Sequence, residues 1–303
     1  GLEVLVNYTV YRLLVWLEYQ KSYQKVRKWL CGGAVAGNLF LLFYYKYYNF
    51  FVDNYVIIFV LILRSLIMQK ILGYMRKAIE KYNMIEEGDK IIIGLSGGKD
   101  SITLAMGLKA LQRFYPKKFE ILCVSINPGF EFFNSDFLKE TCNKIGVPFI
   151  EEKSHIKEIV FDIRNEKNPC SLCANLRRGI LNSVAIREGC NKIALGHNED
   201  DVLETFFLNL LYGGALNTFA PISYMDRSKI TLIRPMIYIP EKEIRKFIRR
   251  NNIEVMPKVC PMDGKSKRED MKILISDFEK QISTIRANLV GAIKRGNING
   301  WKE

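Results

Sequence analysis

Histidine is scarce in this 303-residue chain, which has only His155 and His197. A catalytic triad or a zinc site built on imidazoles is therefore poorly supplied. The seven cysteines are too few for a disulfide scaffold in a chain of this length. Acidic residues are also in deficit, because 32 Asp and Glu stand against 45 Lys and Arg and leave a formal charge of +13. This excess favours a polyanionic partner or an anionic membrane surface.

The most informative motif is KIIIGLSGGKDS, from Lys90 to Ser101, in which an apolar strand runs into a loop of glycines and hydroxyls before a helix. Such a loop and the helix N-terminus aim backbone N–H groups at an anion, so the motif indicates a phosphate site. Three residues separate Gly94 from Gly98, which is not the Walker A spacing. Asp100 would suit Mg²⁺ held against phosphate oxygens. The alternative is an ordinary strand–turn–helix junction.

The string SGGKDS resembles the PP-loop of the ATP pyrophosphatase superfamily, which reads SGGxDS. The resemblance implies an α/β fold, cleavage of ATP to AMP and pyrophosphate, and adenylation of a carbonyl oxygen. It also implies that ATP and Mg²⁺ bind over the loop. The loop residues are Ser96, Gly97, Gly98, Lys99, Asp100 and Ser101.

Strand-like and helix-like segments alternate from Met68 onward. The strand candidates cover residues 90–94, 120–127, 147–151 and 192–195, and the helical segments cover residues 101–114, 135–145, 176–188 and 200–211. This alternation predicts a doubly wound parallel sheet with helices on both faces, as in the PP-loop or adenine nucleotide α-hydrolase-like fold. Ligands of such sheets bind beyond the carboxyl ends of the strands. Asn127 and His197 follow two of these ends, which places both in the predicted site.

A second motif, GHNEDDVLET, follows the fourth strand candidate, and acids occupy the first turn of the helix after it. The helix dipole favours acids there, so Asp200 alone is equally well explained as a structural residue. The string resembles the GHxxDDxxET block of PP-loop tRNA-modifying enzymes. That resemblance implies that Gly196 and His197 line the nucleotide. It also implies that Asp201 aids Mg²⁺ binding or proton transfer.

A cysteine pair, Cys170 and Cys173, forms a CxxC in PCSLCANLRR, and Cys260 is a third candidate ligand. A structural zinc site would want a second CxxC, but position 263 is Asp. Three thiolates suit a 4Fe–4S cluster with one iron left open. The spacing also leaves open a zinc site completed by Asp263, and a redox disulfide. Lys258, together with Arg177 and Arg178 after the CxxC, would favour thiolates and bound anions near the pair.

Five motifs in order resemble the TtcA family of tRNA 2-thiocytidine synthetases over residues 68–285: SGGKDS, PCxxC, GHNxDDxxET, IRP and a late Cys. The resemblance implies an ATP-dependent enzyme that adenylates the 2-oxo group of a cytidine in the tRNA anticodon loop and replaces it with sulfur. An external sulfur donor, such as a cysteine desulfurase, is implied with it. The implied cofactors are ATP, Mg²⁺ and a 4Fe–4S cluster on Cys170, Cys173 and Cys260. The catalytic candidates are Asp100, Asp201 and Arg177.

Rival interpretations use fewer of these motifs. A lysidine-type PP-loop enzyme would not need the cysteines, and related thiouridine synthetases carry further CxxC pairs. A membrane-tethered metal or iron–sulfur module without ATP chemistry would leave SGGKDS and GHNEDD unexplained. The basic run KEIRKFIRR, residues 242–250, suits contacts with RNA phosphates but equally suits a solvated helix face. The oligomeric state stays open, a homodimer included.

The first 67 residues differ in kind from the rest. Trp29–Tyr45 contains no charged residue, and Asn54–Leu63 is a second uncharged run. A membrane-inserted helix and a buried helical hairpin both fit such runs. NYTVYRLLVWLEYQ and FYYKYYNFF resemble an internal piece of the membrane-bound O-acyltransferases, whose catalytic His has no counterpart in this segment.

Met68 resembles the start of an independent protein. We therefore predict two domains: residues 1–67 as a hydrophobic helical segment, and residues 68–303 as a PP-loop tRNA thiolation domain. A gene fusion or an error of sequence assembly would explain the junction. From the second domain we predict a cytoplasmic enzyme. Membrane association is expected only if residues 1–67 are a genuine part of the protein.

Overall fold

The computed structural model describes residues 8–12, 32–41, 43–44, 47, 67–164, 169–257, 260 and 267–302. The chain divides into two compact units, Gly1–Leu63 and Arg64–Glu303. Residues 8–12 and 32–41 of the first unit are helical, whereas the hydrophobic run 54–63 lies outside the described residues. Within the described ranges, no helix combines the length and the apolar character that a membrane crossing requires. The division into residues 1–67 and 68–303 stays a prediction.

The elements of the second unit alternate along the chain. The strands are β1 (Asp89–Gly94), β2 (Phe119–Asn127), β3 (Phe149–Lys153), β4 (Lys192–Ala194), β5 (Ile222–Met225) and β6 (Ile230–Ile233). The helices are α1 (residues 67–81), α2 (Lys99–Leu111), α3 (Ser135–Ile145), α4 (Pro169–Arg187), α5 (Glu199–Gly213), α6 (Glu241–Arg250), α7 (Lys267–Gln281) and α8 (Ile285–Arg295). A π-helical stretch covers Glu158–Ile163, and a 3₁₀ turn covers Ile298–Gly300.

The strands form one sheet in the order β3-β2-β1-β4-β6-β5. All neighbouring pairs are parallel except β5 and β6, which are antiparallel. This arrangement confirms the predicted mostly parallel sheet. The chain winds outward from β1 in one direction and from β4 in the other, so the two strands flank the switch point where such sheets bind ligands.

Helices cover both faces of the sheet because the central strands are apolar on both sides. Ile91 and Ile93 of β1 belong to one buried cluster, whereas Ile92 belongs to the other. All three side chains are fully buried. Successive strand residues face opposite sides, so an unbroken apolar strand requires a layer on each side. The larger cluster contains residues of α1, α2, α5, α6 and α7, and the smaller one contains residues of α4.

Candidate active site

The loop between β1 and α2 is held by hydrogen bonds among its own hydroxyl groups. Ser101 Oγ donates to the Gly98 carbonyl at 3.0 Å and accepts from the N–H and the hydroxyl of Ser96 at 3.2 and 3.1 Å. The Gly98 N–H donates in turn to Ser96 Oγ at 3.4 Å. No side chain caps α2, which begins at Lys99. Its first N–H groups therefore remain available to an anion.

Gly97 has a conformation and an environment that other residues do not tolerate. Its φ is +78°, in the left-handed region that favours glycine. A Cβ at this position would lie 2.8 Å from side-chain atoms of both Leu138 and Met256. The Met256 N–H also donates to the Gly97 carbonyl at 2.9 Å. The loop is thus pinned to the segment that leads towards Cys260.

The next two loop residues, Lys99 and Asp100, form an ion pair with 2.6 Å between Nζ and Oδ2. Lys99 Nζ also lies 2.9 Å from Glu241 Oε1, at the start of α6. Burial lowers the pKa of Lys99, but the two carboxylates outweigh it and raise the pKa overall. The other Asp100 oxygen accepts a hydrogen bond from Asn198 Nδ2 at 3.1 Å. Asp100 therefore links the loop to the GHNEDD motif.

Asn198 and Asp201 begin α5 as a reciprocal cap. The Asn198 side chain accepts from the Asp201 N–H at 3.1 Å, and Asp201 Oδ2 accepts from the Asn198 N–H at 2.9 Å. The remaining Asp201 oxygen lies 3.2 Å from Arg268 Nη1. Burial raises the pKa of Asp201, although the Asn198 N–H and Arg268 oppose this shift. Both oxygens of this predicted catalytic residue therefore already have protein partners.

The preceding acid, Asp200, supports the fold. One of its oxygens accepts from the Glu241 N–H at 2.7 Å, at the first turn of α6. The other pairs with Arg286 of α8 at 2.6 Å. Asp200 is buried. It thus joins the first turns of α5 and α6 to α8.

Gly196 and His197 lie where β4 approaches α2. A Cβ on Gly196 would lie 3.1–3.2 Å from backbone atoms of Asp100 and Ser101, so any side chain here would press β4 and α2 apart. The His197 ring contacts the Phe219 ring, with 4.7 Å between centroids and 38° between the planes, and its buried Nδ1 has no hydrogen-bond partner. Burial, followed by the charges of nearby arginines, lowers the pKa of His197 to about 3. The imidazole is therefore neutral at physiological pH.

A cavity of about 700 Å³ opens at this edge of the sheet. Apolar strand residues form part of its wall, including Val124, Ile126 and Leu232. This combination of apolar walls and a few polar groups suits a heteroaromatic base with phosphates. The predicted site residues that line it are Ser96, Gly98, Asp100, Ser101, Gly196, His197, Arg177, Cys170 and Cys260.

The other predicted residues lie outside the lining of this cavity: Gly97, Lys99, Asn127, Asp201 and Cys173. The Asn127 side chain donates to Glu151 at 2.9 Å and accepts from the Gly129 N–H at 2.9 Å. It therefore shapes the turn after β2. Whether it also contacts a nucleotide stays a prediction.

The three candidate thiols approach the same place. Cys170 and Cys260 both line the cavity, and Cys170 and Cys173 lie in the first turn described for α4. All three are free thiols. Burial, followed by the neighbouring Cys260 and Cys173, raises the pKa of Cys170. The described ranges contain no assembled group of three metal-ligating side chains, and Asp263 lies outside them. The donors thus fit an iron–sulfur cluster in chemical type, while their described positions do not form a closed ligand set.

Several residues of the site were missed from the sequence. Asn198 was detectable, because an Asn three residues before an Asp is a recognisable helix cap. Glu241 and Arg268 carry no comparable local signal, since their partners are distant in the chain. Arg234 lies in the IRP motif, which was identified from the sequence without a role for this residue. Arg178 was not missed: it was predicted with Arg177 to favour bound anions, and both line the cavity.

This chain is similar in sequence to a family of known proteins. Residues 69–259 match a family model described as a PP-loop domain. A tRNA-cytidine(32) 2-sulfurtransferase of Syntrophotalea carbinolica is 38% identical over 240 residues, which cover 78% of this chain and 92% of the relative. The enzyme of the same name from Geotalea uraniireducens is 39% identical over 220 residues, covering 72% and 87%. These similarities do not support the acyltransferase resemblance of residues 1–67.

A solved structure shares the fold. The U34-tRNA thiolase NcsA from Methanococcus maripaludis, solved with its 4Fe-4S cluster, aligns with a TM-score of 0.64 at 24% identity. The alignment covers 77% of this chain and 79% of NcsA. Likeness at this identity concerns the arrangement of helices and strands.

Proposed function

This chain belongs to the tRNA-cytidine(32) 2-sulfurtransferase family of PP-loop proteins, and we propose that it uses ATP to replace the 2-oxo group of a tRNA cytidine with sulfur. The observation that carries the proposal is one cavity lined by the SGGKDS loop, by His197, and by Cys170 and Cys260. The site where ATP activates the cytosine and the site that delivers sulfur would therefore lie in the same cavity. The anticodon loop is the proposed target, because its bases are unpaired.

ATP would lie with its phosphates over Ser96–Ser101. The free N–H groups at the start of α2 and the nearby Lys99 cation suit the phosphate oxygens. Asp100 is the carboxylate that would hold Mg²⁺, because it lines the cavity. Asp201 would act indirectly. It accepts a hydrogen bond from the Asn198 N–H, and the Asn198 side chain donates in turn to Asp100.

The reaction would have two displacements. The cytosine O2 attacks the α-phosphorus of ATP, an O–P bond forms, and pyrophosphate leaves with the electron pair of the broken P–O bond. A sulfur nucleophile then attacks C2, and AMP leaves with the original oxygen. Positioning and charge neutralisation by the loop would supply most of the rate. The base must leave its stack to enter the cavity, which costs less in a single-stranded loop.

Cys170, Cys173 and Cys260 would hold the iron–sulfur cluster. Three thiol donors would leave one iron of a 4Fe–4S cluster without a cysteine ligand. When bound, the cluster supplies an open coordination position for sulfur. The chain's own part is to keep Cys170 and Cys260 at the cavity wall, through α4 and the Met256–Gly97 hydrogen bond, with Cys173 in the same first turn of α4 as Cys170.

The proposed reaction requires two partners, a tRNA substrate and a source of sulfur. The charge of +13 suits a tRNA. In α6, Arg245 is engaged by Glu241, so Lys242, Lys246 and Arg249 are the better candidates for phosphate contacts. Sulfur would come from an external donor such as a cysteine desulfurase. We also propose that the protein is cytoplasmic, where the tRNA pool is, and that it forms a homodimer. Membrane contact is proposed only if residues 1–67 are a genuine part of the protein.

The test is thiolation of unmodified tRNA by the full chain, purified anaerobically, with iron and sulfide quantified. Nucleoside mass spectrometry should detect ATP-dependent 2-thiocytidine. Asp100→Asn should lower the rate on the order of a hundredfold, whereas Asp136→Asn should not. Asp136 is a matched control, since it is exposed and occupies the same second position of its helix, α3.

Other products would decide between the alternatives. If the product is 2-thiouridine, the substrate base is a uridine and not the cytidine proposed here. Iron-containing protein that modifies no tRNA and needs no ATP would favour the metal-binding module. Full thiolation by iron-free protein would remove the cluster from the proposal.

A further inference from the structure

One wall of the cavity carries positive charge without a matching acid. Arg177 and Arg178 project from α4, and Arg234 follows β6. None of the three forms a salt bridge with another described residue, whereas Arg268 and Arg286 each pair with an acid. A buried or half-buried cation normally has a partner, because removing it from water is costly. The half-buried Arg177 and the buried Arg234, with the exposed Arg178 next to Arg177 in the chain, therefore indicate a site for an anion.

Arg234 is the deepest of the three, with 6% of its surface exposed. One terminal nitrogen donates to the Ala220 carbonyl at 2.7 Å and to Ser223 Oγ at 3.2 Å. Its Nε is buried without any hydrogen-bond partner. Burial, with a smaller effect from Arg178, lowers the pKa of Arg234 to about 10, so the side chain remains charged at neutral pH. The fold thus fixes a full charge close to the cavity.

Three further side chains connect Arg234 with the surface of the cavity. Arg177, Arg178 and His197 line the cavity directly. Arg234 lies 5.1 Å above the ring of Phe219, whose other contact is His197 at 4.7 Å. Arg177 Nε and His197 Nδ1 are also buried and unpartnered.

Within the described part of the chain, no salt bridge from a carboxylate neutralises the arginines of this wall. Among the described residues that line the cavity, Asp100 is the only carboxylate. Its oxygens are already engaged by Lys99 and Asn198. The counter-charge for the arginines is therefore expected from a ligand.

We propose that Arg177, Arg178 and Arg234 form, with His197, a second anion subsite that binds a phosphate ester, separate from the PP-loop that binds the leaving pyrophosphate. Guanidinium groups suit this ligand, because their planar fork matches two phosphate oxygens. The source of the ester rests on the proposed function. It is either the α-phosphate of the nucleotide or a backbone phosphate beside the target cytidine. In both cases the subsite orients the phosphate ester while pyrophosphate departs.

The test is calorimetric titration of the full chain with pyrophosphate, with AMP, and with an anticodon stem–loop RNA. Arg178→Gln is the main variant, because Arg178 is exposed and its loss does not threaten the fold. Arg234→Lys keeps the buried charge and removes the fork. Arg187→Gln is the matched control, since Arg187 lies on the same helix and pairs with Glu152 on the surface.

We expect Arg178→Gln and Arg234→Lys to bind pyrophosphate as the wild type does. Each should bind AMP or the RNA about tenfold more weakly. Weaker AMP binding assigns the subsite to the nucleotide, and weaker RNA binding alone assigns it to the RNA backbone. Affinities for both ligands that match those of Arg187→Gln would overturn the subsite.

The subsite and the proposed function can fail separately. If the wild type thiolates tRNA while the variants keep both affinities, the subsite is wrong and the function stands. If the wild type thiolates no tRNA but Arg178→Gln loses AMP binding, the function is wrong and the subsite stands.

Discussion

Asp201 and Arg268 form an ion pair of 3.2 Å that ties α7 to the start of α5. Arg268 Nη2 also donates to Thr205 one turn further along α5, at 3.1 Å. Arg268 follows Cys260 in the chain, and Met256, which precedes it, is bonded to Gly97. The chain is therefore anchored to both nucleotide-site motifs, once on each side of Cys260.

Arg268→Ala should weaken this anchor. We expect it to lower the free energy of unfolding by about 1–3 kcal/mol, because a buried carboxylate loses its charged partner. The iron content of anaerobically purified protein should fall with it, while Arg268→Lys should restore part of both. Lys280→Ala, on the same helix with an exposed pair to Asp277, is the control. Wild-type stability and iron content in Arg268→Ala would show that the anchor is dispensable.

Gly97→Ala should disrupt the phosphate loop. The new Cβ would lie 2.8 Å from Leu138 and Met256 and would occupy a left-handed conformation. We expect a loss of about 2–4 kcal/mol in stability and weak nucleotide binding. Gly88→Ala separates the two causes, because Gly88 also has positive φ, +81°, but open space around it. Thermal unfolding and ATP titration measure both effects, and equal losses in the two variants would exclude the clash.

Acid should destabilise the protein through His197. Its folded-state pKa, about 3, lies below the usual value of 6.5, so between these limits only the unfolded state binds the proton. Stability is therefore lost as the pH falls from about 6.5 towards 3, by a few kcal/mol at most. His197→Gln should flatten that limb of the stability profile, measured by urea unfolding. The control His155→Gln, at an exposed ring, should keep the wild-type profile.

Glu204 should act in the opposite direction. Burial, followed by the charge of Asp201, raises the pKa of Glu204 to about 7. Between pH 4.5 and 7 the folded state holds a proton that the unfolded state has released, so stability falls as the pH rises. Glu204→Gln should therefore stabilise the protein more at pH 8 than at pH 5. Glu269→Gln, at an exposed position of α7, should show no such dependence, and a pH-independent effect at Glu204 would contradict the prediction.

Local patterns were read correctly from the sequence. The alternation of apolar strands and helices predicted the mostly parallel sheet, and the SGGKDS and GHNEDD motifs do follow β1 and β4. The third predicted strand begins two residues later than expected, at Phe149. The hairpin of β5 and β6 was missed, because two four-residue strands give little periodic signal.

The sequence by itself determined which chemical groups this protein brings to its site, since loops and caps form between residues that are close in the chain. Only the tertiary structure decided how these groups are engaged. Asn198 bonds Asp100 from 98 residues away, and Arg268 reaches Asp201 across 67. It also revealed three arginines beside the cavity that form no salt bridge with any described acid, because the neighbours of a side chain are known only once the chain has folded.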